Sequence, residues 1–225
     1  MCGRYLLKTP ADELKELFAL EGPLPNFGPR WNVAPTQEMP VVRRHPESGA
    51  RVLSLLRWGL VPHWADDAGI ATRLLHARAE GLETTRSYRD AYARRRCLVP
   101  ADGFFEWQGE GKAKVPYAVA RADGGPFAMA GLWEGWRGQD GTVIRSFTVV
   151  TTAANDDLRP VHPRMPVILA PADWPIWLGE VPADAAAMAR LLAGAGPGEM
   201  RCWPVSSRVG NVRNDDAALF APLAA

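Results

Sequence analysis

Cys2 is the residue with the most chemistry to offer. An initiator Met is removed when the second side chain is small, and Cys qualifies. The product carries a free α-amine on one carbon and a thiol on the next. An α-amine titrates near ~7.7–8.0 and a thiol near ~8.5, so both keep nucleophilic fractions at neutral pH. Such a 1,2-aminothiol condenses with an aldehyde: the amine forms an imine, sulfur adds to it, and a five-membered thiazolidine closes. Gly3, lacking a Cβ, lets a ligand approach the backbone closely. A second-position Cys that merely packs is the plainer alternative, and position alone does not separate the two.

Other groups could move protons around such a nucleophile. Glu106 lies in Asp102-Gly103-Phe104-Phe105-Glu106-Trp107, an acid set among aromatics in an apolar strand. There a carboxylate is either satisfied by a partner or held with a raised pKa for proton transfer. His162 sits in a Pro-punctuated turn, Arg159-Pro160-Val161-His162-Pro163-Arg164, where a His can serve as acid or base or simply be solvated. His76 lies in Leu74-Leu75-His76-Ala77-Arg78, and His45 and His63 are loop-like. Arg4, Arg30, Trp31, Asn32, Trp58, Trp64, Arg78 and Arg164 mix guanidinium forks with flat aromatics, the combination that holds single strands without reading sequence. Trp58, Trp107 and Trp133 read as core; Trp64, after Pro62-His63, is the better stacking candidate.

These residues need elements to hold them. Asp12 to Leu20 has Leu14, Leu17 and Phe18 at helical spacing, which predicts a short amphipathic helix. Apolar, β-favouring runs at 39–43 and 52–58 flank Pro46-Glu47-Ser48-Gly49, a hairpin signal. A second helix is expected over 86–95, and strands around 97–99 and over 104–108, 115–121, 127–133, 146–151 and 167–169. Two further helices are expected near 172–178 and 183–192, with 194–198 as a loop. Many short strands and few helices predict an α+β domain, mainly antiparallel, with flanking helices. No linker or repeat divides residues 1–225, so one domain is expected.

Composition narrows the class without naming a partner. Apolar residues make up 47% and charged residues 23% of the 225, a globular balance. No apolar run approaches the roughly 18–20 residues of a membrane span, and no secretory signal is visible, which predicts a cytoplasmic address. Net charge is only +1, but Arg supplies 22 of the 26 basic residues. That bias favours phosphate contacts, although GC-rich coding produces it as well. Cys2, Cys97 and Cys202 form no zinc-spaced cluster, so neither metal nor cofactor is expected; Cys97 and Cys202 read as small core residues.

Seven stretches occur in one order: Met1-Cys2-Gly3-Arg4-Tyr5, Arg30-Trp31-Asn32-Val33-Ala34-Pro35, Trp58-Gly59-Leu60-Val61-Pro62-His63-Trp64, Ala77-Arg78-Ala79-Glu80, the Cys97–Trp107 run, His162-Pro163-Arg164-Met165-Pro166 and the Val205–Asn214 run. Together they resemble the SOS-response-associated peptidase (SRAP) family, from Cys2 to about Asn214, leaving a tail of 215–225. The resemblance implies an α+β domain whose sheet or barrel carries a cleft for single-stranded DNA with Cys2 at its floor. It implies covalent capture of ring-opened abasic sites as a thiazolidine, self-processing of Met1, and a weak lyase activity. In that scheme Cys2 is the nucleophile, Glu106 the acid/base and His162 a proton donor. Arg4, Asn32, Arg78 and Arg164 would hold phosphates or the lesion, and Trp64 would stack on a base. The implied partner is abasic single-stranded DNA, bound by a monomer without a metal or a membrane.

One departure stands at His76, where the family usually carries Asn. A His in that place predicts donation to the lesion and a capture rate that turns pH-sensitive near its pKa. Asp66-Asp67 is more acidic than the family's usual stretch and would weaken DNA affinity locally. Two rivals share features. Class II glutamine amidotransferases also begin Met-Cys-Gly, and a non-covalent DNA reader would need the same arginines.

Overall fold

The hairpin anticipated over residues 39–58 is the seed of the larger of two sheets. β3 (Glu38–Arg44) and β4 (Arg51–Trp58) pair antiparallel from Glu38–Arg57 to Arg44–Arg51, and Gly49 takes a left-handed φ of +74° at their turn. β3 buries the consecutive residues Met39 to Val42, so both of its faces are covered. The computed structural model describes residues 2–109, 111 and 114–223.

Five strands close on themselves. β4 runs parallel to β10 (Val143–Ala153), which pairs antiparallel with β9 (Phe127–Arg137). β9 pairs with β6 (Arg96–Ala101), and β6 returns to β3, completing a barrel in the order β3-β4-β10-β9-β6. Closure removes the free edges that a strand would otherwise offer to other chains. Three short strands dock outside it: β5 (His76–Arg78) parallel to β10, β11 (Arg164–Pro166) antiparallel to β10, and β12 (Ile168–Leu169) on β9.

The second sheet runs β13-β8-β7-β1-β2. Its strands are β1 (Arg4–Leu7), β2 (Arg30–Val33), β7 (Gly103–Gln108), β8 (Val115–Arg121) and β13 (Met200–Pro204). Gly103 has no room for a side chain: a Cβ there would lie 2.8 Å from Phe220 and 2.9 Å from Leu6 and the Val119 carbonyl. Among the described residues four short α-helices flank the sheets: α1 (Ala11–Phe18), α2 (Arg89–Arg94), α3 (Trp174–Leu178) and α4 (Ala185–Leu192). α1 buries Leu14 and Phe18, one turn apart, and Phe18 stacks on Trp174 at 4.4 Å. This is the α+β, largely antiparallel single domain that the pattern predicted, with short strands β1, β2, β5, β11 and β13 added to it.

Trp58, Trp177, Phe104 and Phe147 are fully buried, as is Cys97. Two expected core tryptophans differ: Trp107 and Trp133 are half-buried, and Cys202 is only partly covered. Nor is 215–223 a loose tail. Leu219 is fully buried, and Phe220 packs edge-on against Phe105 and Trp203. No helix among the described residues is long and apolar enough to cross a membrane.

Candidate functional site around Cys2

β1 brings Cys2 to the site because it is an interior strand, held by β2 on one side and β7 on the other. The β1–β7 register pairs Arg4 with Phe105 and Tyr5 with Phe104; read one pair further, Gly3 faces Glu106. Cys2 is buried, and its thiol donates to the Arg4 carbonyl at 3.3 Å. Burial first, and the Glu106 charge second, push the thiol pKa well above its ordinary value. The thiol is therefore protonated at rest.

Glu106 is itself buried, and that burial raises its pKa, which the nearby His162 counteracts. His162 Nδ1 lies 3.7 Å from Glu106 Oε1, and 3.0 Å from both the amide N and the carbonyl O of Arg164. Glu106, Trp107, Lys114 and His162 line an open cleft of about 300 Å³. Of the sequence-predicted residues, Cys2, Glu106 and His162 are thus brought together.

β10 carries the other wall. It pairs with β5 through Thr151–Arg78 and with β11 through Ala153–Arg164, so both arginines project from strands on one scaffold. His76, at the start of β5, places Nε2 2.7 Å from the Cys2 carbonyl O. Its ring meets Trp58 edge-on at 5.9 Å, and the Tyr88 hydroxyl donates to its carbonyl at 3.0 Å. Burial lowers its pKa to about 4. The neutral ring therefore donates Nε2–H to the Cys2 carbonyl, which ties it to the backbone of that residue. The pH sensitivity expected near its pKa therefore belongs well below neutrality. His76, Arg78, Glu80, Gly81, Thr85 and Tyr88 line a second cleft of about 400 Å³. Arg78 is exposed there.

Arg164 is more committed than its sequence suggested. Glu80 takes its fork with both oxygens, at 2.6 and 3.0 Å, and Nη2 also donates to the Thr151 carbonyl at 2.6 Å. Thr151 was not singled out by sequence, although Glu80 lay within one of the recurring stretches. Arg4 is half-buried and donates to the Gly3 carbonyl at 2.8 Å.

Two expected DNA-facing residues stand apart from this group. Trp64 is half-buried; its indole N–H donates to the Arg86 carbonyl at 3.4 Å, and the Arg86 guanidinium covers one ring face at 4.0 Å. Asn32, expected to contact DNA, is fully buried. Its Nδ2 donates to the carbonyls of Val209, Asn211 and Asn214 at 2.9–3.1 Å. Asn32 is a clasp for the C-terminal segment. Asp215 completes it by accepting from the Trp31 and Asn32 amides and from Arg30. Asp67 is likewise structural, since its carboxylate caps the 3-10 turn Ala68–Arg73 at the Gly69 amide. Among the described residues no group of His, Cys, Asp and Glu is arranged to hold a metal ion.

Known proteins share this arrangement of chain. Abasic site processing protein YoqW of Bacillus subtilis is 34% identical over 98% of this chain and 99% of its own. Abasic site processing protein YedK of Escherichia coli is 32% identical over 99% of this chain and 100% of its own. A crystal structure of a Bacteroides thetaiotaomicron protein superposes with a TM-score of 0.84 at 23% identity, over 99% of this chain and 100% of that one, and so shares the fold. The profile described as SOS response associated peptidase (SRAP) matches residues 1–212, a span that takes in β1, β5, β7 and β11 alike. With the profile and end-to-end relatives agreeing, the chain belongs to the SRAP family.

Proposed function

We propose that this protein captures abasic sites in single-stranded DNA covalently, through Cys2 after Met1 has been removed. The observation that carries this reading is the convergence on Cys2: Glu106 bears on its thiol while His76 holds its carbonyl at 2.7 Å. Two relatives named abasic site processing proteins, aligned over nearly their whole length, support the DNA lesion as substrate. Met1 itself lies outside the described residues.

The chemistry follows from the protonation states. His162 gives a proton to the ring oxygen and recovers one from the anomeric hydroxyl as the sugar opens to its aldehyde. The Cys2 amine then bonds to C1′ while the thiol is still protonated. The aldehyde oxygen leaves as water with the help of a proton from Glu106, whose raised pKa keeps a protonated fraction on hand. Sγ adds to the imine carbon; its proton passes to the Glu106 carboxylate and restores it, while the ring nitrogen keeps the remaining amine proton. Water is the only product besides the thiazolidine. An imine that fails to close loses its 3′ phosphate by β-elimination, which gives a weak lyase activity. Arg4, Arg78 and Arg164 supply phosphate contacts and Trp64 a stacking face. The protein works as a monomer and needs no cofactor.

The test is intact-protein mass spectrometry after incubation with a single-stranded oligonucleotide bearing one abasic site. The expected mass is that of the Met1-less protein plus oligonucleotide minus one water. It should survive without borohydride and be absent from Cys2→Ala. Free Cys2 with no adduct would overturn the reading, and glutamine hydrolysis lost on Cys2→Ser would point to an amidohydrolase instead.

A further inference from the structure

A second basic surface lies outside the Cys2 site, around the junction of α2 and β6. α2 ends at Arg94, and Arg95 leaves the helix at φ −136°, so the run Arg94-Arg95-Arg96 turns from helix to strand within three residues. That break spreads three guanidinium groups around one groove. Arg44 at the end of β3 and His45 of the following turn, with Trp133 of β9, complete a concavity of about 460 Å³. Arg43 sits 4.9 Å over the Trp133 ring, and Arg145 on β10 adds a like charge that lowers its pKa after burial has done so.

This positive charge is not neutralised locally. Glu134 answers Arg95 at 2.5 Å. Glu180 is occupied by Arg51, which takes both of its oxygens at 2.7 Å. Among the described residues Arg43, Arg44, Arg94 and Arg96 have no carboxylate partner. Arg44 donates to the Gly179 carbonyl at 2.6 Å, and Arg96 donates to the Tyr92 and Trp177 carbonyls. An arginine has five N–H donors, so these bonds orient the forks and leave others to spend. Forks so held match phosphate oxygens in pairs. Because Arg43 covers the Trp133 face, the groove offers charge rather than base stacking.

The groove borders the segment that carries Trp64. His63, next in sequence to Trp64, lies 3.6 Å from Glu134, the partner of Arg95. We propose that this groove is a second, sequence-independent contact for the phosphodiester backbone, engaged by single-stranded DNA that runs on past Trp64. The proposal rests on the reading that DNA is the ligand.

The test uses the double variant Arg44→Gln/Arg94→Gln; both side chains are exposed and neither belongs to the capture site. Affinity for undamaged single strands of ~8 and ~30 nucleotides is measured from ~50 to ~200 mM salt. The parent should bind the long strand more tightly and with a steeper salt slope. The variant should lose on the order of tenfold on the long strand at low salt, with the slope reduced by about 1, while the short strand is unaffected. Arg44→Lys/Arg94→Lys should recover most of the slope. An unchanged slope in the glutamine variant, equal losses on both lengths, or a parent indifferent to length would overturn the groove. Capture of a short abasic strand is scored separately: its failure in parent and variant alike counts against the Cys2 reading and leaves the groove to be judged by its slope.

Discussion

Glu80 holds Arg164 by both carboxylate oxygens, Oε1 to Nη1 at 2.6 Å and Oε2 to Nη2 at 3.0 Å. A phosphate engaging Arg164 bidentately must therefore displace a carboxylate already there. The bond from Arg164 pulls the Glu80 pKa below its ordinary value, so the pair persists throughout the neutral range. Glu80→Gln keeps the side-chain shape and removes the competing charge. Its affinity for undamaged single-stranded DNA should rise about 3- to 10-fold at ~50 mM salt, and less at ~200 mM. Fluorescence anisotropy reads this directly. Weaker binding would mean that Glu80 positions Arg164 rather than competing for it.

Glu106 carries the opposite balance. Burial raises its folded-state pKa, so its contribution to stability is full at low pH and declines as pH rises through that value. Glu106→Gln removes the charged form altogether. The variant should melt higher than the parent at pH 7, by about 2–4 °C for each kcal/mol relieved, with the gap closing near pH 4. Capture should slow at the same time. Thermal melts at the two pH values, run beside the adduct assay, check both halves.

His76 runs the other way again. Its folded pKa of about 4 lies below the ordinary 6.5, so an unfolded chain takes up a proton that the folded one refuses. Stability is full above pH 6.5 and falls as pH drops towards 4, by at most about 3 kcal/mol. Denaturant midpoints for His76→Asn should change less over this interval than those of the parent. Between pH 6 and 8 the two capture-rate profiles should have the same shape, and a His76-dependent inflection in that window would contradict the neutral donor to Cys2.

Asp215 ties the C-terminal segment to β2 through two backbone amides and Arg30. Asp215→Ala leaves those donors unmatched and should cost about 1–3 kcal/mol. Because β2 is the partner of β1, capture should fall along with the melting temperature. Full activity in a destabilised variant would show that β1 does not depend on this clasp.

What the sequence made legible divides by length and by distance along the chain. β3 and β4 were readable because each spans seven or eight residues and Pro46–Gly49 marks the turn. β5 and β11 have three residues each, too few for any periodicity, and exist only because the end of β10 runs past its barrel partners and is left for them to pair with. Cys2, Glu106 and His162 were legible as chemistry, but their grouping depends on a strand register. Asn32 shows the reverse: a polar residue amid arginine and tryptophan reads as a contact, yet its partners lie 177 to 182 residues away and bury it. The grip of Glu80 on Arg164, across 84 residues, was hidden for the same reason.

The central position of β1 in its sheet has a consequence for the moment of synthesis. β1 leaves the ribosome first, but the strand that covers its other side, β7, follows about 100 residues later; at ~5–20 residues per second that is roughly 5–20 s. Until β7 and Glu106 emerge, that side of position 2 is uncovered. On the reading proposed for Cys2, translation supplies a window for removing Met1 before β7 and its Glu106 are in place. A chain refolded from denaturant with Met1 still attached has no such delay.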